Sequence, residues 1–393
     1  MSVSSFYMPT RIVYGRGALG EIHTLACDVG ITRALVVSDP HIARLPFYRE
    51  ALAALERIGI RVERFEECGI DARLAHVDRL AARVNAEALN GVISIGGGSV
   101  MCTGKGVAIT APNSASLRSH AGYAAFATKA LPQLMVPTTA GSGSEVSQYT
   151  IVKDEEAHAK IVAGGPMSFP EVAILDPVVL ESLPPRVSAV ASVDALTHAL
   201  EAYFTRLATP LTDAVAIEAM RLLVANLDGS IHRGDVQARE DHLLASTMAN
   251  VACGNARLGL AHSLSIPLEG RFDLPHGIGV GVLMPRVLRF NAEADPARAR
   301  RVAEAIGARA DADLGRALAA RLFDLYASID FPSHFSAKQF PADLIPDLAR
   351  EASRGLWGGG PAGTIDDDTM IESPNLRPAT VRQARGLYEA CFA

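Results

Sequence analysis

Gly91–Val92–Ile93–Ser94–Ile95–Gly96–Gly97–Gly98–Ser99, running on into Val100–Thr110, is the stretch that decides the fold. Gly91–Ile95 is a short, largely apolar, β-branched run of strand length, as expected of a strand buried on both faces in a parallel sheet. Three glycines follow, and Val100–Thr110 reads as a helix. Such a junction lets the backbone come close to a ligand. The helix N-terminus that follows presents unpaired N–H groups and a positive dipole end, which suit a phosphate. The spacing is not G-x-G-x-x-G, so the ordinary dinucleotide fingerprint is absent. The same glycines would also serve a turn that holds nothing.

The alternation extends on both sides. Upstream, Ala34–Ser38 reads as a buried strand closed by Asp39, Pro46–Ile58 as a helix, Arg61–Phe65 as a strand and Arg73–Ala88 as an amphipathic helix. Strand and helix in turn predict a parallel, doubly wound sheet. At a strand's carboxyl end, Asp39 either caps a turn or accepts hydrogen bonds from a ribose. In the second role it would repel a 2′-phosphate and so favour NAD over NADP. Downstream, Leu134–Val136 reads as a strand leading into Pro137–Ser147, a segment dense in hydroxyls and glycines that could hold a nucleotide. Tyr149–Val152 and Lys160–Val162 suggest a hairpin, and Val172–Leu175 a last strand. Phe6–Tyr14 reads as a short strand or arm and offers an edge for pairing between chains.

From Pro184–Pro185 onward, strand signals almost vanish. Helices are expected at about 187–206, 210–228, 237–254, 257–266, 277–291, 296–306, 312–327 and 377–390, with a surface loop over 353–369 holding Gly358–Pro361. This places a boundary near 184 between an α/β domain, 1–184, and an all-α domain, 185–393. In the first expected helix, Asp194 and His198 are four apart and share one face. A surface ion pair has that spacing too. His262 and His276 follow downstream, and three histidines with one aspartate make a plausible set for Fe(II), Zn(II) or a similar ion. The glycine cradle lies in the other half, so a cleft between the domains would bring metal and cofactor together.

The 393 residues carry a formal net charge of −6 with scattered basic groups, which argues against a nucleic-acid partner. No apolar run is long enough to span a bilayer, and Met1–Phe6 has no signal-peptide pattern. Five well-separated cysteines without a C-x-x-C motif fit a reducing cytoplasm.

Four ordered motifs, GGGSVMCTGK (96–105), PTTAGSGSEVS (137–147), DALTHALEAY (194–203) and GLAHSLSIPLEGRFDLPHG (259–277), resemble the iron-containing, or group III, alcohol dehydrogenases. The resemblance implies a Rossmann-like N-terminal domain and an all-helical, metal-binding C-terminal domain. It implies Fe(II), or in some relatives Zn(II), held by Asp194, His198, His262 and His276. It implies NAD(P) contacts at Asp39, Gly97, Gly98, Ser99, Thr138, Thr139, Ser142 and Lys160. The activity implied is metal-dependent, NAD-linked interconversion of a small alcohol and its aldehyde or ketone, in a homodimer or higher assembly. Cys102 stands where relatives usually have Asp and is expected to be a small buried residue. Ile266 stands where many have a second histidine that relays a proton, which leaves water or the ribose hydroxyls, or a side chain such as His158 or Tyr149, for that task. Arg257 and Arg271 flank the His262 motif and would suit an oxo acid or semialdehyde. A dehydroquinate synthase-like lyase or cyclase and a non-catalytic nucleotide binder are the alternatives of other classes.

Overall fold

The computed structural model describes residues 3–157, 159–272, 274–309, 312–336, 340–355 and 364–392. His158 and Gly358–Pro361 therefore lie outside the described residues. One compact unit runs from Met8 to Leu183; the other runs from Pro184 onward and includes the N-terminal arm up to Tyr7.

The first unit contains β1 (Arg11–Tyr14), α1 (Ile22–Asp28), β2 (Arg33–Val37), α2 (Pro46–Arg57), β3 (Arg61–Phe65), α3 (Leu74–Ala86), β4 (Gly91–Gly96), α4 (Gly98–Asn113), β5 (Gly122–Tyr123), β6 (Gln133–Pro137), β7 (Tyr149–Asp154), β8 (Ala159–Gly164) and β9 (Val172–Leu175). Six strands form one sheet in the order β1-β9-β6-β4-β2-β3. Every pairing in it is parallel. All residues of β4 are buried, which accounts for its continuous apolar reading. The chain moves outward from β2 to β3, then returns to place β4 on the other side of β2. The carboxyl ends of β2 and β4 therefore flank a topological switch point, the usual ligand crevice of such sheets. Asp39 follows one of these ends and Gly96–Ser99 the other. Gly96 also pairs with Pro137, so the Pro137–Ser147 segment leaves from the same edge. β5, β8 and β7 form a small separate sheet, with β7 and β8 antiparallel.

The second unit is helical: α5 (Pro185–Tyr203), α6 (Pro210–Asp228), α7 (Val236–Ala256), α8 (Leu260–Phe272), α9 (His276–Ala292), α10 (Pro296–Ile306), α11 (Leu314–Ser328), α12 (Ile345–Ala352) and α13 (Val381–Glu389). α5 is the central helix, packed against α6, α7 and α9, and every residue from Ser192 to Tyr203 is buried. That burial follows from a run whose only charged groups are Asp194 and Glu201.

Three differences from the sequence reading have local causes. α4 begins at Gly98 rather than Val100, so the glycines are themselves the helix N-terminus, with Gly97 as cap. Phe6–Tyr14 is divided at Pro9: Tyr7 N–H donates to Asn255 in the helical unit (2.7 Å), while Arg11–Tyr14 pairs with β9. α12 was not expected; it is eight residues long, too short for its periodicity to stand out in the sequence.

Candidate metal centre and cofactor cradle

Asp194 and His198 lie one turn apart on α5, His262 lies in the first turn of α8, and His276 opens α9. Their ligand atoms all fall within 4.8 Å of one another. Asp194 Oδ1 is 3.6 Å from both His198 Nε2 and His276 Nε2. The His198 and His262 rings stack at 5.0 Å, and the His262 and His276 rings are 5.1 Å apart. The start of α9 reaches α5 because residue 277 is glycine: a Cβ there would lie 2.6 Å from the Val190 carbonyl oxygen.

Two of the three imidazoles are oriented by a carboxylate at the other nitrogen. His262 Nδ1 donates to Glu201 Oε2 (2.6 Å) and His276 Nδ1 to Glu269 Oε1 (2.6 Å). The Asn250 side-chain amide lies 3.2 Å from His198 Nδ1. With Nδ1–H given to a carboxylate, Nε2 is the bare nitrogen and points to the common centre, the arrangement that metal-ligating histidines use. Burial lowers the His198 pKa to about 4, which keeps that ring neutral, as a ligand must be. Asp194 Oδ1 and His262 Nε2 are buried and make no hydrogen bond among the described residues. Two orphaned acceptors side by side cost about 1–3 kcal/mol each. Three imidazole nitrogens and a carboxylate oxygen converging on one point fit a borderline divalent ion such as Fe(II) or Zn(II).

Glu201 does more than hold one ring. It is fully buried on α5, and its Oε1 accepts from Ala261 N–H (2.5 Å) and His262 N–H (3.4 Å), while Oε2 also accepts from Gly259 N–H (2.9 Å). A carboxylate from α5 thus caps the N-terminus of α8, where the unpaired amides and the dipole favour a negative charge. Burial opposes its ionisation, but His262 and the Gly259 and Ala261 amides outweigh burial and hold its pKa below the usual carboxylate value. The sequence reading missed Glu201, Glu269 and Asn250. The glutamates did leave a signal: 194 and 201, like 262 and 269, are seven apart, two turns along one face of an otherwise apolar helix. Asn250, on α7, left none.

In the first unit, Asp39, Gly97, Gly98, Ser99, Thr138, Thr139 and Ser142 gather at the carboxyl edge of the large sheet. A Cβ at Gly98 would stand 3.0 Å from Ser142 Cβ and Oγ, and one at Gly97 3.3 Å from the Thr139 methyl, so the two segments touch through the glycines. Thr138 N–H donates to the Gly96 carbonyl (3.0 Å). Two of these side chains have local duties. Asp39 Oδ1 accepts from His41 N–H (2.8 Å) and Ile42 N–H (2.9 Å), which caps the turn over Ile42–Arg44. The Ser99 hydroxyl donates to the Ile70 carbonyl. Lys160 lies on the smaller sheet, exposed on β8 and opposite Lys153. Cys102, expected to be buried, is only partly so, with Sγ 4.0 Å from Ser144 Oγ. Ile266 is half-buried within α8. Arg271 is engaged by Glu351, with Nε 3.1 Å from Oε2. No described helix is long and apolar enough to cross a membrane.

Comparison with known proteins agrees with this geometry. Residues 9–177 match the family described as iron-containing alcohol dehydrogenase, and residues 188–368 match the C-terminal domain of the same family. The chain is 30% identical over 385 residues to the lactaldehyde reductase of Escherichia coli (strain K12), covering 96% of this chain and 97% of the relative. It is 33% identical over 306 residues to the NAD-dependent methanol dehydrogenase of Bacillus methanolicus, covering 78% and 80%. Among solved structures, 1,3-propanediol oxidoreductase is similar, with a TM-score of 0.91, 28% identity and complete coverage of both chains. With both units matched in order, the chain belongs to the iron-containing alcohol dehydrogenase family of oxidoreductases.

Proposed function

We propose that this chain interconverts a small primary or secondary alcohol and its carbonyl compound with NAD(H). In this reading Asp194, His198, His262 and His276 hold Fe(II), or Zn(II), which fits the same donors. Asp39, Gly97, Gly98, Ser99, Thr138, Thr139, Ser142 and Lys160 serve the cofactor. The unit from Met8 to Leu183 is then the cofactor domain, and the unit from Pro184 onward, with the arm up to Tyr7, the metal domain. The observation that carries the reading is the convergence of four ligand atoms, two of them orphaned, with carboxylates behind His262 and His276 that fix their tautomers. A family relative's name includes NAD dependence, which supports the cofactor.

When bound, the metal supplies Lewis-acid polarisation of the carbonyl oxygen and the nicotinamide supplies the hydride. The chain's own part is positional. Glu201 and Glu269 aim the His262 and His276 imidazoles, the α4 N-terminus receives the pyrophosphate, and Asp39 offers its carboxylate to the ribose. Ile266 cannot carry a proton, so the alcohol proton moves through water or the ribose hydroxyls. Five free cysteines suit a reducing cytoplasm, and an assembly of identical chains is expected, to be read by sedimentation.

The deciding experiment follows NADH oxidation with short aldehydes, ketones and oxo acids, using protein reconstituted anaerobically with Fe(II) or Zn(II). Metal-dependent turnover that vanishes in an Asp194→Ala/His198→Ala variant is expected. Turnover of a substrate without net NADH change would favour a lyase or cyclase, and tight NADH binding without any turnover would favour a binding protein.

A further inference from the structure

Lys105, on α4 two turns beyond Gly98, is completely buried. Its Nζ reaches the Ser144 carbonyl (2.8 Å), the Ser144 hydroxyl (3.1 Å), the Ser147 carbonyl (2.6 Å) and the Tyr149 carbonyl (2.9 Å). Four acceptors surround an ammonium with three protons, and all four belong to one segment, the stretch between β6 and the first residue of β7. That stretch has little regular structure of its own beyond a single turn at Ser144–Val146, entered through Gly143 at φ +57. It is nevertheless tied to α4 at successive levels. Gly97 and Gly98 meet Thr139 and Ser142, the Cys102 carbonyl accepts from the Thr150 hydroxyl (2.7 Å), and Lys105 collects the three carbonyls below.

Burying an ammonium is costly, and here desolvation lowers the pKa to about 8. The negative charge of Glu145 opposes that shift, and the four acceptors favour the protonated form. An apolar side chain of the same length would fill the space without that cost, but it would leave the carbonyls of residues 144, 147 and 149 free to turn. The effect of the lysine is orientational.

We propose that Lys105 is a positioning residue for the cofactor: by fixing the carbonyls of Ser144, Ser147 and Tyr149 against α4, it sets the segment that carries Thr138, Thr139 and Ser142 beside the glycine cradle. The inference rests on the cofactor reading above and deepens it. It assigns to a buried cation that touches no ligand a large share of the affinity for NADH.

The test uses full-length, metal-loaded Lys105→Met and Lys105→Arg. NADH affinity is read by fluorescence titration, alongside the KM for NADH, kcat at saturating NADH, metal content and melting temperature. Lys105→Met is expected to raise Kd and KM for NADH by about tenfold or more, with kcat at saturation within about threefold and the metal content unchanged. Lys105→Arg, which keeps the charge and donors, is expected to recover part of the affinity. Lys105→Met with a Kd for NADH within about twofold of the parent would overturn the inference. If Lys105→Met does not fold, Lys105→Gln, which drops the charge and one donor and cannot hold all three carbonyls, decides: a rise in Kd of about two- to fivefold supports the role and an unchanged Kd refutes it. Failure of the parent protein to bind NADH would instead sink the cofactor reading.

Discussion

Replacing Glu201 with glutamine tests the metal centre at the point where most of its geometry converges. The glutamate accepts four hydrogen bonds, two on each oxygen: Ala261 N–H and His262 N–H on Oε1, Gly259 N–H and His262 Nδ1–H on Oε2. Glutamine has one acceptor oxygen, so whichever way the amide turns, two of the four lose their acceptor. At about 1.5–3 kcal/mol for each bond to a charged group, the metal-free protein should lose roughly 3–6 kcal/mol. At about 2–4 °C per kcal/mol for a unit of this size, that is a melting shift of roughly 6 °C or more. The second effect falls on the ring. With the amide NH2 facing His262 Nδ1, the imidazole must accept there and carry its proton on Nε2, the nitrogen that would ligate metal. Metal affinity should then fall about 10- to 100-fold. The assay is competition with a chromogenic chelator for Zn(II) and Co(II), alongside calorimetry of the metal-free protein. Glu269→Gln should weaken metal binding with a smaller stability loss. Glu269 accepts from His276 and the Ser265 hydroxyl, and the His276 side chain is 41% exposed, whereas that of His262 is 2% exposed. A Glu201→Gln protein that binds metal within about twofold of the parent and melts within about 1 °C of it would refute both the capping and the tautomer arguments.

Acid should act through His242, which is fully buried on α7 with neither ring nitrogen hydrogen-bonded among the described residues. Burial takes its pKa down to about 4, whereas the unfolded side chain titrates near 6.5. Between those values only the unfolded chain takes up the proton, so this contribution is complete above about pH 6.5 and about 3 kcal/mol is lost as pH falls towards 4. His242→Leu should flatten that part of the denaturation profile without lowering stability at pH 7. Two glycines of α4 should separate binding from folding. Gly98→Ala, whose Cβ meets Ser142 at 3.0 Å, should raise the KM for NADH with little change in melting. Gly104→Ala, whose Cβ would stand 2.1 Å from Ser94 Oγ, should instead cost about 1–3 kcal/mol of stability in the core. Asp39→Asn keeps the turn cap but loses the charge, so the ratio of kcat/KM for NADPH to that for NADH should rise about tenfold or more; an unchanged ratio would mean that Asp39 only caps.

What the sequence determined by itself was local. Continuous apolar runs marked β2 and β4 as buried strands, and the glycines at 96–98 marked the junction that became the start of α4. The spacing of 194 and 198 placed two ligands on one helix face, because helix and strand periods are properties of neighbouring residues. Relations between distant residues waited for the tertiary structure. Packing alone brought α5, α8 and α9 together so that four ligand atoms lie within 4.8 Å. It gave Glu201 its partners at residues 259–262 and set Asn250 beside His198. It turned Asp39 into a turn cap at the switch point, and it buried Lys105 among the carbonyls of a segment about forty residues away. A charged residue looks alike in a sequence whether it ends in solvent or in a ring of acceptors. Which of these occurs depends on whether the fold supplies partners that offset its desolvation, and those partners come from other elements.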